Sequence, residues 1–160
     1  MANLKWTLTV PTTGGATMVT NGAIKTLLQF LAPTNQRVIM REWDVSFQGT
    51  SNTAAPILVE VVRQTSAGTG LNAATIVKNN NSDQETIQST GTYGILTTVN
   101  TGEPTDASVV PFAEFVHPQQ GYAWRATVGS EINCQGGTRL GLRVTAAASV
   151  NANARLVSEE

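Results

Sequence analysis

Apolar and polar residues alternate with a period of two along GGTRLGLRVTAAASVNANARLVSEE (136–160), and this period is typical of an extended strand. The alternation predicts one inward-facing set of side chains: Leu140, Leu142, Val144, Val150, Ala152 and Leu156. Small residues at 146–149 separate the two alternating stretches. Two such stretches with a short connection predict an antiparallel hairpin.

The same period recurs elsewhere, and no segment sustains the i, i+3, i+4, i+7 stripe of a helix. LKWTLTV (4–10) places four apolar residues on one face of a first strand: Leu4, Trp6, Leu8 and Val10. ILVEVVRQT (57–65) is apolar on both faces, which predicts a central strand in a two-layer structure. Roughly eight to ten strands follow from such patterns, so the predicted fold class is all-β: a two-sheet antiparallel β-sandwich, jelly-roll-like.

Three further stretches refine this prediction. Residues 24–30 fit either a strand or a helical turn, and we take the strand. HPQQG (117–121) predicts a hairpin loop between the strands on either side of it. The stretch 36–49 alternates so that one face carries Arg41, Trp43, Val45 and Phe47 and the other carries Met40, Glu42, Asp44 and Ser46.

The length of 160 residues suits one domain with a sizeable core. We predict an amino-terminal strand or arm at 1–15, followed by a single β-sandwich domain at 16–160. The start, MANLKWTLTV, lacks the basic segment and long apolar run of a signal peptide, and no stretch approaches the ~18 apolar residues of a membrane span. We therefore expect a chain that is made and kept soluble, with no membrane partner.

The charge pattern argues against nucleic acid as a partner. Charged residues are 13% of the chain, ten basic against eleven acidic, and the formal net charge is −1. The basic residues occur singly, so they form no stripe along which a phosphate backbone could bind.

The sequence offers few candidates for chemistry. Cys134 is the only cysteine, which excludes an internal disulfide, and we interpret it as a small, partly buried side chain near a strand end. His117 is the only histidine and precedes Pro118, so it marks a strand end although Glu114 is near. These residues are too few for a zinc or iron centre, and NNNSDQE (79–85) lacks the spacing of a calcium loop. We expect no metal and no cofactor.

Two remaining patterns have competing interpretations. Glu42 and Asp44 share a strand face and resemble a carboxylate pair for glycoside hydrolysis, but partners such as water or arginine are the favoured interpretation. Trp6, Trp43 and Trp124 lie within strand patterns, which favours core packing over a sugar-stacking platform. No serine, cysteine or lysine has a base nearby in the sequence. We predict no catalytic residue and no enzyme.

Three phrases carry a resemblance to a known family: APILVEVVRQTSAGTG (55–70), TGEPTDAS (101–108) and the carboxyl-terminal stretch quoted above. They resemble small structural proteins encoded beside the capsid genes of tailed bacteriophages, some of which look like jelly-roll decoration, or cement, proteins. The resemblance covers roughly residues 36–160 and supplies no active-site residues.

The resemblance implies a virion protein that is made in the host cytoplasm and binds the exterior of the assembled major-capsid-protein lattice, stabilising it. It also implies a homo-oligomer, a trimer in the commonest form. As interface residues we predict Leu4, Trp6, Leu8 and Val10, on an arm followed by the hinge TTGGAT (12–17). The alternative is a carbohydrate- or host-binding β-sandwich module of a phage head or tail fibre, and a small hydrolase is the least favoured class.

Overall fold

The computed structural model describes residues 4–10, 18–20, 23–48, 55–94, 102–107 and 110–160. These residues form strands and connections, with no helix among them. The strands are β1 (Lys5–Thr9), β2 (Met18–Thr20), β3 (Ile24–Leu31), β4 (Val38–Gln48), β5 (Ile57–Gln64), β6 (Leu71–Ala74), β7 (Ile76–Lys78), β8 (Thr90–Gly94), β9 (Phe112–Val116), β10 (Tyr122–Arg125), β11 (Ile132–Cys134), β12 (Arg139–Thr145) and β13 (Val150–Glu159).

The strands form two antiparallel sheets that pack face to face. Sheet A has the order β10-β4-β13-β1-β7, with β11 paired to β4 and β2 paired to β13. Sheet B has the order β6-β8-β3-β12-β5-β9. Trp6 of sheet A contacts Phe30 of sheet B edge to face, with ring centroids 5.3 Å apart. The predicted all-β, two-sheet antiparallel sandwich is therefore confirmed, and residues 24–30 lie in a strand.

The core lies between the sheets and contains the side chains that period two places inward. All six predicted inward-facing residues of β12 and β13 are buried: Leu140, Leu142, Val144, Val150, Ala152 and Leu156. β5 lies inside sheet B, between β12 and β9, so the predicted central strand is confirmed. The alternation thus identified the core face of these strands correctly.

The predicted hairpin of β12 and β13 is wrong. β12 pairs with β3 and β5 in sheet B, whereas β13 pairs with β4 and β1 in sheet A. Residues 146–149 therefore cross from one sheet to the other, a gap of about 10 Å. The loop HPQQG likewise joins β9 of sheet B to β10 of sheet A, so it closes no hairpin.

The predicted faces of β4 are wrong at its amino-terminal end. Val157 of β13 pairs with Glu42, but the next residue, Ser158, pairs with Met40, so Arg41 is a bulge. The bulge reverses the alternation there. As a result Met40 is fully buried, and Arg41 points instead toward Glu159, its Nε donating to the carboxylate at 2.7 Å.

The residues predicted to form a docking arm lie inside the sandwich. β1 is hydrogen-bonded on both sides, to β13 and to β7. The four predicted interface side chains are at most 3% exposed: Leu4, Trp6, Leu8 and Val10. Residues 4–10 therefore form a core strand and not an exposed arm, because their apolar face is covered by sheet B. The predicted hinge at 12–17 lies outside the described residues.

The two glutamates at positions 159 and 160 bind two other parts of the chain, β4 and the segment before β8. Glu159 is 5% exposed and accepts the bond from Arg41. The side chain of Glu160 accepts a hydrogen bond from the backbone N–H of Gln88 at 2.7 Å. The backbones of Leu4 and Glu160 also exchange two hydrogen bonds of 3.0 Å each.

Candidate functional site

A row of mostly apolar side chains crosses the outer face of sheet B at one end. Strand pairing places Phe115 beside Leu58, Leu58 beside Thr145 and Thr145 beside Ile24. Directly paired residues share a face of an antiparallel sheet. We call these four residues the apolar row. Phe115 is 67% exposed and Ile24 is 43% exposed, so the apolar row faces solvent.

The neighbouring row on the same face is polar and covered. It contains Thr26, Arg143 and Glu60, which are paired across β3, β12 and β5. The Arg143 guanidinium donates to Glu60 at 2.8 Å and also pairs with Asp106 of the segment 102–107. Glu103 of that segment accepts a 2.6 Å hydrogen bond from the Thr26 hydroxyl. The segment therefore covers the polar row, and the apolar row remains open beside it.

Aromatic side chains hold the edge of the sandwich where β9 carries Phe115. Phe112 of β9 packs edge to face against Trp43 of β4, with centroids 5.1 Å apart. Tyr122 and Trp124 of β10 also contact Phe112, at centroid separations of 6.0 Å and 6.2 Å. These ring contacts pack β9 of sheet B against sheet A, and they therefore hold the strand that carries Phe115 in place.

The structure places the predicted carboxylate pair in an ionic network on the outer face of sheet A. Asp44 accepts a 2.7 Å bond from the Nε of Arg155, and Glu42 lies 3.4 Å from the Nε of Arg125. The favoured interpretation, partnership with arginine, is confirmed. Each carboxylate therefore has a guanidinium as its partner.

The remaining candidates lie apart from one another. His117 follows the end of β9, as predicted, and its Nδ1 accepts a bond from the backbone N–H of Gln119 at 3.3 Å. Glu114 is exposed on β9. Cys134 ends β11 and is fully buried, and this burial raises the pKa of its thiol.

Metal-type side chains do not converge in the part of the chain that the structure describes: no group of three or more His, Cys, Asp or Glu is placed to hold an ion there. In the loop 79–85, the carboxylate of Asp83 accepts a bond from the Asn80 amide at 3.1 Å. The described residues also contain no helix long and apolar enough to cross a membrane.

Two of the three tryptophans, Trp6 and Trp43, are in the core, and only Trp124 is partly exposed. Core packing, the favoured interpretation, is thus confirmed for those two.

Comparisons of the chain with protein-family models, curated proteins and solved structures find no match.

Sequence reasoning missed the apolar row because the row depends on pairing between four strands. Its members are separated along the chain, and only the register places them side by side. One signal was present. Leu58 and Phe115 are apolar residues on the face of their strands that points away from the core, and Ile24 begins a strand in the same orientation.

Proposed function

We propose that this chain is a structural virion protein, a capsid decoration protein that binds the assembled capsid lattice and stabilises it. The apolar row is the surface through which it docks. The partner is the major capsid protein, contacted where neighbouring subunits meet. The proposal rests on the resemblance of residues 36–160 to phage structural proteins and on the exposed aromatic ring of Phe115.

The exposure of Phe115 is the observation that carries this proposal. An exposed phenylalanine beside further apolar side chains is the kind of surface that protein partners cover. The low charge of the chain fits the same use, because charged residues are depleted at the centres of protein interfaces. The described carboxylates, histidine and cysteine, in contrast, form no constellation suited to catalysis.

Self-association is part of the proposal. A closed trimer would present three apolar rows to neighbouring capsid subunits at once. Three linked contacts then give an avidity well above that of one. The composite site exists only on the assembled lattice, so the protein is expected to bind capsids and not free coat subunits.

The test is rebinding of purified protein to particles that lack it. Phe115→Asp should lower the affinity for particles by about tenfold or more, because it replaces the most exposed apolar side chain of the row by a charge. Sedimentation of particles with bound protein measures the affinity. Sedimentation of the free protein measures its mass in solution and so shows whether it is a trimer.

Val77→Asp is the matched control. Val77 is a 55% exposed apolar residue on β7, an outer strand of sheet A, so it tests a new charge away from the apolar row. It should bind particles like the wild type. Equal binding by Phe115→Asp and Val77→Asp would remove the apolar row as the docking surface, and failure of the wild type to bind particles would overturn the function itself.

A further inference from the structure

A pocket of about 460 Å³ opens at the end of the sandwich opposite to the apolar row, where β5 ends and β12 begins. Both sheets contribute to its lining. Sheet B supplies Arg63 and Arg139, sheet A supplies Asn133, and Arg37 comes from the residue directly before β4. The volume lies within the ~300–1,000 Å³ of ordinary small-molecule sites.

The three arginines of this pocket differ from the other arginines of the chain. Arg41, Arg125, Arg143 and Arg155 each form an ion pair with a carboxylate. Arg37, Arg63 and Arg139 form none with the described residues, and no acidic side chain is among the residues that line the pocket. Three like charges thus face one cavity without a counter-charge from the described protein.

The other residues that line the pocket are polar or apolar, and none of them carries a negative charge. One guanidinium nitrogen of Arg63 donates to the backbone carbonyl of Asn133 at 2.6 Å, which fixes the position of the group. Gln135 and Thr138 also line the pocket, and the Thr138 hydroxyl donates to the backbone carbonyl of Gln135 at 2.6 Å. The adjacent Cys134 adds no negative charge, because burial raises the pKa of its thiol and keeps it protonated.

We propose that this pocket binds a small multivalent oxyanion of the phosphate or carboxylate type. Guanidinium groups bind such anions through paired N–H donors, and their bonds to an ionised acceptor are about twice as strong as neutral ones. Arg37, Arg63 and Arg139 neutralise the anion, and Asn133, Gln135 and Thr138 surround it with polar atoms. This site is independent of capsid docking, because it lies at the other end of β12 from Thr145.

The experiment is calorimetric titration of the full chain with pyrophosphate, with citrate, and with sodium chloride at matched ionic strength. Saturable binding of one anion per chain is expected, with a rise in melting temperature because the anion binds the folded state. Arg139→Gln should weaken binding by about tenfold or more. Arg125→Gln removes an arginine from an exposed ion pair outside the pocket and should leave binding unchanged.

Each outcome decides the proposal. Saturation by pyrophosphate alone assigns a phosphate ligand, saturation by citrate alone assigns a carboxylate ligand, and saturation by both supports the shared oxyanion chemistry. Binding of neither, or equal weakening by Arg139→Gln and Arg125→Gln, overturns the proposal. Should Arg139→Gln fail to fold, amide chemical shifts of the wild type decide instead: pyrophosphate or citrate must move Asn133, Gln135 and Thr138, and movement elsewhere alone overturns the site.

Discussion

Gly141 leaves room for two glutamine side chains that cross the covered part of the outer face of sheet B. It lies on the outer face of β12, and the amide of Gln29 donates to the amide oxygen of Gln64 at 2.7 Å above it. A Cβ on Gly141 would lie 2.7 Å from the Cδ of Gln64, well inside van der Waals contact. The sequence indicated the outward orientation of Gly141, but the crossing glutamines depend on distant strands and could not be predicted.

We predict that Gly141→Ala destabilises the fold by about 1–3 kcal/mol, because the new methyl group displaces Gln64 and breaks its buried hydrogen bond to Gln29. Urea unfolding measures the change. In a Gln64→Ala background the same substitution should cost much less, since the obstructing amide is gone. An equal cost in both backgrounds would show that the glutamine pair is not the cause.

At the scale of elements, strand identity was predictable and strand pairing was not. The alternation of β12 and β13 correctly identified Leu142 and Leu156 as core residues. A hairpin and a crossing between sheets both bury one face of each strand, so period two does not distinguish them. The bulge at Arg41 was missed, although the apolar residues Met40 and Trp43 are three apart and therefore out of step with a period of two.

The central place of β12 in sheet B gives a test of its register. Leu142 is fully buried between β3 and β5, so we predict that Leu142→Ala costs about 2–5 kcal/mol through lost burial and a residual cavity. Val77→Ala, at a 55% exposed site, should change stability by less than about 0.5 kcal/mol. Similar losses for the two variants would contradict the inward orientation of Leu142.

For the whole molecule, length and alternation were enough to predict one two-layer sandwich, because few other arrangements bury so many half-apolar strands. The surfaces were not predictable. The apolar row needs the register of four strands, and the pocket needs Arg37, Arg63 and Arg139 to meet across both sheets. The sequence left a strand or an arm open for 1–15. Trp6 and Leu8 predicted a strand, and Lys5–Thr9 form one, but the pattern did not give its position between β13 and β7.

Cys134 reports on the integrity of the whole sandwich. Its thiol is fully buried, so a reagent cannot reach the sulfur in the folded state. Burial also raises the pKa of the thiol, which disfavours the reactive thiolate. We predict that a thiol reagent at neutral pH labels the native protein about a thousandfold more slowly than the urea-unfolded chain. Mass spectrometry follows the labelling. Fast, complete labelling without urea would show that this end of β11 opens readily.

Both sheets receive a central strand from one stretch of the chain, residues 139–159. β12 lies between β3 and β5, and β13 lies between β4 and β1, so neither sheet is continuous before residues 139–159 are made. A ribosome adds only about 5–20 residues each second, and during that time the edges of four earlier strands have no partner. Open edges of this kind invite pairing with other chains. Folding therefore waits until residues 139–159 have been made, and until then the nascent chain depends on being kept apart from its copies.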